Sequence, residues 1–222
     1  MSKILCVISG GMDSATLLYK AIEGAENQVE AISFDYGQRH RKELVYASNL
    51  CDELGINHAV IDISSITPYI GGSALTDDID VPDGHYSAPS MAVTVVPNRN
   101  AIMLSIAFGI AVARQSSAVA AAMHSGDHAI YPDCRPEFVD KFNAMQRTAT
   151  EGYSDPGLYL WTPFIDKTKT DIAKEGLRLG IDYSMTWSCY KGEDLHCGQC
   201  GTCYERKEAF REAGILDPTE YA

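Results

Sequence analysis

The chain has 222 residues, 45% hydrophobic and 22% charged, an ordinary globular composition with enough length for a sizeable core. Its formal net charge of −12 argues against a broad, non-specific nucleic-acid surface, because phosphate backbones are held by Lys and Arg, but it allows a local basic pocket. No apolar run reaches the ~18 residues that span a bilayer, and Met1-Ser2-Lys3 leads into an apolar run without a secretory pattern. A cytoplasmic enzyme with no direct nucleic-acid or membrane partner is the expectation.

Ile4–Ile8 reads as a buried strand. It runs into Ser9-Gly10-Gly11-Met12-Asp13-Ser14, and a helical pattern follows over Asp13–Glu23. A strand, a tight glycine turn and a helix start leave free backbone N–H groups at the positive end of a helix dipole. That is an anion site, and the expected anion is a phosphate. A plain βα turn is the alternative. The turn is neither a Gly-x-x-x-x-Gly-Lys-Ser/Thr nor a Gly-x-Gly-x-x-Gly loop. Its Ser-Gly-Gly-x-Asp-Ser order resembles the pyrophosphate loop of the adenylating ATP pyrophosphatases. The candidate nucleotide-binding set is Ile8, Ser9, Gly10, Gly11, Met12, Asp13, Ser14, Ala15 and Thr16, together with Arg99. Asp13 and Ser14 are also catalytic candidates, with Asp13 orienting the loop, capping the helix or holding Mg²⁺.

Val29–Phe34 is a second strand, ending in Asp35-Tyr36-Gly37-Gln38-Arg39-His40. A helix over Lys42–Leu54 follows, with Leu44, Val45, Ala47, Leu50 and Leu54 on one face, then a strand over His58–Ile63. This alternation predicts right-handed parallel βαβ crossovers and a doubly wound α/β sheet, with ligands beyond the carboxyl ends of the strands. The glycine turn and the Asp35–His40 turn share that rim. Residues 64–96, rich in Pro, Gly and Asp, read as a lid or partner-contact loop, with simple surface disorder as the alternative. Arg99 and Asn100 open an apolar helix, Ala101–Arg114, expected to be buried on most of its surface. Ala118–Met123 is a strand and residues 124–135 are a rim loop, where His124 and His128 are expected to be solvated. Helices are predicted over Pro136–Thr150, Thr168–Leu179 and Tyr204–Ala213, with a short strand at Leu158–Trp161. In the Thr168 helix, Thr170 and Asp171 are the candidate caps, and Ile172, Ala173, Gly176, Leu177 and Leu179 should face inward. Arg99 and Lys167, each near a helix start, are candidate cations for phosphate or carboxylate.

Four of the seven cysteines lie in Cys189-x7-Cys197-x2-Cys200-x2-Cys203. In a reducing compartment this spacing reads as a metal site: a closed tetrahedral zinc, with an iron–sulfur cluster or redox thiols as alternatives. His196 is a competing ligand. A closed four-thiolate site would stabilise and not catalyse. Cys6 and Cys51 read as small buried hydrophobes, and Cys134 lies in the rim loop. The expected division is a nucleotide-binding domain over 1–186 and a metal-binding region over 187–222.

Further segments extend the likeness: Phe34-Asp35-Tyr36-Gly37-Gln38-Arg39-His40 with Glu43; Val96-Pro97-Asn98-Arg99-Asn100; Tyr131-Pro132-Asp133-Cys134-Arg135; Pro163-Phe164 with Lys167-Thr168; and Thr186-Trp187-Ser188-Cys189 through Cys203 with Arg206. With the glycine turn, these make the chain resemble the 7-cyano-7-deazaguanine synthases. The resemblance implies a Rossmann-like fold of the adenine nucleotide alpha hydrolase type. It implies ATP-dependent conversion of 7-carboxy-7-deazaguanine and ammonia to the nitrile (preQ0) in queuosine and other 7-deazapurine biosynthesis, through adenylated acid and amide intermediates. It also implies Mg²⁺, zinc on Cys189, Cys197, Cys200 and Cys203, and a homodimer. Tyr36, Gln38, Asp127, Tyr131 and Asp133 are then the expected substrate contacts, and Asp13, Ser14, Arg99 and Lys167 the expected catalytic set. The chain departs from the family pattern at Ala129-Ile130, where Ser-Gly is expected. That departure keeps a ligase that stops at the amide, or takes another carboxylate, as the alternative.

Overall fold

The computed structural model describes residues 2–23, 28–86 and 88–222. Strands β1 (Lys3–Val7), β2 (Gln28–Asp35), β3 (Asn57–Asp62), β4 (Ala118–Ala120) and β5 (Tyr159–Trp161) form one parallel sheet in the order β3-β2-β1-β4-β5. Helices α1 (Met12–Glu23), α2 (Lys42–Leu54), α3 (Arg99–Ala113), α4 (Pro136–Ala149), α5 (Lys169–Leu179) and α6 (Gly201–Ala213) surround it. Successive strand side chains point to opposite faces of a sheet. Leu5, Ile32, Phe34 and Val119 therefore enter a core with Phe108 of α3 and Phe142 of α4. Ile4, Cys6, Ala118 and Ala120 enter another with Leu17 of α1, Leu50 of α2 and Ile172 of α5. This is the predicted doubly wound arrangement. Strand order reverses at β1, which opens a crevice beyond the carboxyl ends of β1 and β4.

Four expectations change. Val45 is 57% exposed and Leu177 is 61% exposed, although both were expected on inward faces. Each follows a buried neighbour by one residue, which turns it about 100° around the helix. Second, α5 is capped by Thr168, not Thr170. The Asp171 N–H donates to Thr168 Oγ1 at 3.1 Å, and the Thr168 N–H donates to Asp171 Oδ2 at 3.0 Å. This reciprocal pair is a capping box. Third, the described residues of segment 64–96 pack against the body in several places. Leu75, Tyr86, Met91 and Val96 are buried, and Asp83 bridges to Cys200. Helix α3 is less buried than expected. Met103, Leu104, Ala107, Phe108 and Ala111 face the core, while Ser105, Gly109 and Ala113 are exposed and Ile102, Ile106 and Ile110 half-buried.

Candidate active site

The glycine turn sits between β1 and α1, as the sequence predicts. The Ser14 hydroxyl donates to Gly11 O at 3.1 Å and accepts from the Ser9 N–H at 3.2 Å, closing the turn on itself. Gly10 has φ +84, and a Cβ there would come within 2.2 Å of the Glu43 carbonyl oxygen. Only glycine allows the turn to lie directly on the first turn of α2. The carbonyl of Gly10 accepts from the Trp187 N–H at 2.9 Å, so the C-terminal segment braces the turn. Ile8, Met12, Ser14, Ala15 and Thr16 are buried around it. Thr16 is shared with the core: its hydroxyl bonds Met12 O at 2.7 Å and Tyr183 Oη at 2.9 Å.

Asp13 lies at the centre of an ion network. Lys169 Nζ is 3.2 Å from Asp13 Oδ2 and 2.6 Å from Glu205 Oε2 of α6. Burial works against the Lys169 charge, but Asp13 and Glu205 outweigh it and raise its pKa, so it stays protonated. Lys167 is exposed instead and engages through its backbone, its carbonyl accepting from the Ser125 N–H at 2.9 Å and its N–H donating to Phe164 O at 2.8 Å. The lysine beside the turn is therefore Lys169, which the sequence reading passed over. The Thr168-x-x-Asp171 capping box was the available signal, since it makes Lys169 the first residue of α5. His124, expected to be solvated, is 2% exposed. Its Nδ1 accepts from the Gly126 N–H at 3.1 Å, which puts the ring proton on Nε2. Nε2 faces Asp127 at 3.6 Å and Asp13 at 3.8 Å. Asp13 Oδ1 is buried without a hydrogen-bond partner. A hard cation is one way to satisfy such an oxygen.

A cavity of ≈ 250 Å³ opens beside the turn in the crevice at β1. Ser9, Gly11, Asp13 and Ser14 line one end, with Tyr36, His40, Glu43, Arg99, Asp127 and Tyr190 along the rest. Arg99 Nη1 lies 3.3 Å from the Tyr36 hydroxyl, and no carboxylate pairs with Arg99 among the described residues. An unpaired guanidinium beside an amide-lined turn is suited to an anion. Tyr36 and Asp127 reach the cavity as expected, and Asp127 also accepts from the Tyr86 hydroxyl at 3.0 Å. The other three expected substrate contacts do not line it. Gln38 is 1% exposed and locked internally, accepting from the Tyr36 N–H at 2.9 Å and donating to Phe34 O at 3.1 Å and Glu43 Oε1 at 3.0 Å. The Tyr131 hydroxyl pairs with Thr94 Oγ1 at 3.0 Å. Asp133 accepts from the Asn100 N–H at 3.0 Å and so caps α3. Glu43, Tyr190 and Lys169 carry more of this site than spacing along the chain suggested.

Burial pushes Glu43 up to about 8, against the opposing effects of Gln38 and Arg99. Burial, helped by Arg99, pushes His40 down to about 3, so its ring is neutral. The Cys134 thiol lines the cavity, accepts from Asn100 Nδ2 at 3.1 Å and is pushed up by burial, which leaves it unreactive as a nucleophile.

The four Sγ atoms of Cys189, Cys197, Cys200 and Cys203 lie within 4.8 Å of one another, a set that could hold a metal such as zinc. Tetrahedral thiolates about 2.3 Å from zinc stand roughly 3.8 Å apart, close to this spacing. The N–H groups of Cys197 and Cys200 point at Cys189 Sγ and Cys197 Sγ, as second-sphere donors do. His196 is elsewhere engaged: its Nε2 accepts from the Ser188 N–H at 3.0 Å, and its ring stacks on Trp187 at 4.2 Å.

A family model described as "Queuosine biosynthesis protein QueC" matches residues 3–214. The chain belongs to the QueC family. It is 56% identical over 220 residues to a 7-cyano-7-deazaguanine synthase of Ruegeria pomeroyi, covering 99% of this chain and 94% of the relative. It is 54% identical over 219 residues to one of Sinorhizobium fredii, covering 99% and 92%. Among solved structures, the U34-tRNA thiolase NcsA of Methanococcus maripaludis has a TM-score of 0.52 at 16% identity, over 97% of this chain and 74% of that one. NMN synthetase of Francisella tularensis has a TM-score of 0.52 at 17% identity, over 96% and 78%. At these identities the likeness shows the fold alone. No helix among the described residues is long and apolar enough to cross a membrane.

Proposed function

We propose that this QueC-family chain makes 7-cyano-7-deazaguanine from 7-carboxy-7-deazaguanine and ammonia at the expense of ATP. The observation that carries this reading is one cavity holding both the Ser9–Ser14 turn and an unpaired Arg99. Nucleotide phosphates and an acceptor carboxylate can then meet without crossing a wall. The backbone N–H groups of the turn hold the phosphates. Arg99 and Lys169 offset the charge that builds as pyrophosphate leaves, and Lys169 takes the place expected for Lys167. Asp13 and Asp127 are the oxygen donors suited to Mg²⁺, whose chemistry is to neutralise phosphate charge. Cys189, Cys197, Cys200 and Cys203 would hold zinc, which would stabilise the segment whose Trp187 N–H braces the turn. ATP supplies an adenylyl group that turns a carboxylate oxygen into a leaving group. Ammonia displaces it to give the amide. Activation and loss of the amide oxygen then give the nitrile.

The amide-stopping alternative drew on Ala129-Ile130. Ile130 has φ −102, ordinary for any residue, and packs on the core outside the cavity lining. The departure therefore lies outside the cavity walls, which supports the full reaction. Incubation with the acid, ATP, Mg²⁺ and ammonia, read by mass spectrometry, tests the reading. A product one water lighter than the amide, with two AMP per turnover, is expected. Accumulation of amide alone, or no product, would refute it.

A further inference from the structure

The synthase reading accounts for the turn and the guanidinium but leaves a buried corner of the same cavity without a task. That corner is walled by His40 and Glu43, with the ring of Tyr190 5.2 Å from that of His40. Glu43 belongs to the first turn of α2, and its backbone carbonyl lies against Gly10 of the phosphate turn. Its side chain is only 13% exposed and is aimed by Gln38, which donates to Oε1 at 3.0 Å. Oε2 lies 3.4 Å from His40 Nε2. His40 is 2% exposed, and its Nδ1 has no hydrogen-bond partner. A neutral imidazole with an unpaired nitrogen and a carboxyl, side by side in a buried corner, suit a guest that is small, nitrogenous and hydrogen-bonding.

We propose that His40 and Glu43 form the subsite for ammonia, and that Glu43 takes the proton its nitrogen sheds. The inference rests on the synthase reading and assigns the second substrate of that reaction a place. The nitrogen lone pair forms the C–N bond. The C–O bond to the adenylyl group breaks, and its electron pair leaves on the phosphate oxygen of AMP. The surplus proton passes from nitrogen to the Glu43 carboxylate, which releases it to solvent between turnovers. His40 holds the guest by hydrogen bonding and carries no charge while doing so. The groups facing Glu43 are Arg99 from α3, Tyr36 and Gln38 from the turn after β2, and His40. Because burial holds Glu43 near 8, its carboxylate form grows as pH rises through that value, and ammonia-dependent turnover should rise with it.

Glu43→Gln retains the shape and the Gln38 contact, and separates nitrogen chemistry from acid activation. Pyrophosphate exchange driven by the carboxylate substrate needs no ammonia, and the variant should retain it. Nitrile formation at fixed free ammonia should fall about 10²-fold, and its rise with pH should flatten. Hydroxylamine, a nucleophile largely unprotonated at neutral pH, should restore hydroxamate formation. If exchange disappears together with the nitrile, Glu43 serves acid binding and the subsite is wrong. Unchanged turnover, or no rescue by hydroxylamine, also overturns it. A wild-type protein inert toward the acid sinks the synthase reading and this subsite together, which is distinct from every outcome of the variant.

Discussion

Two lysines separated by one residue have opposite fates. Lys167 is exposed, while Lys169 is clamped between Asp13 and Glu205. The reason is local: the capping box turns the chain at Thr168, so only the residue after it points back at the glycine turn. Lys169→Ala should lower ATP-dependent turnover by about 10²-fold and leave Asp13 and Glu205 facing each other without a cation. Lys167→Ala should stay within a factor of two of wild type. Steady-state kinetics on both variants check this, and equal effects would refute the assignment. His124 and Glu43 repeat the lesson, since a loop histidine and a helix-start glutamate look solvated until the fold closes over them.

At the scale of elements, the C-terminal segment reaches back to the first βα turn. Trp187 bonds Gly10 by its backbone and Cys189 O by its indole N–H at 2.9 Å, while α6 contributes Glu205 to the ion network. Arg206, fully buried, ties α6 to Thr186 at 2.8 Å, Tyr183 O at 2.9 Å and Asp217 at 3.2 Å. The four-cysteine site thus sits two residues from a contact with the phosphate turn. Metal analysis should give one zinc per chain and no iron. Removing the metal with a thiol-competitive chelator, or Cys200→Ser, should lower the melting temperature and weaken ATP binding together, because the brace and the turn share Trp187. Calorimetry with and without nucleotide follows both. Loss of stability with ATP affinity intact would separate the metal from the turn.

Across the whole molecule, the outer face of α3 is distinctive. No charged residue occurs from Asn100 to Ala113, and Ile102, Ser105, Ile106, Gly109 and Ile110 leave an apolar strip partly open. On a chain of net charge −12 such a strip is a place where a second copy can bury surface without unpaired charge. The homodimer implied by the family resemblance is proposed to form there. Gly109 has open space around it, so Gly109→Arg should fold normally and sediment as a monomer at 24.2 kDa, and the parent is expected to sediment at about twice that mass. A variant that remains dimeric places the interface elsewhere.

The sheet, its parallel sense, the helix positions, the glycine turn and the cysteine cluster were legible in the sequence. Each depends on local spacing: apolar runs, a glycine pair before a helix, thiols every third residue. Tertiary structure alone decided which polar residues meet. Gln38, Tyr131 and Asp133 were drawn into support roles because buried donors and acceptors must find partners, and nearby backbone and hydroxyl groups supplied them. Lys169, Glu43, His124 and Tyr190 reach the site from elements far apart in the chain. Their neighbours, their burial and hence their protonation exist only once the strands bring those elements to one rim.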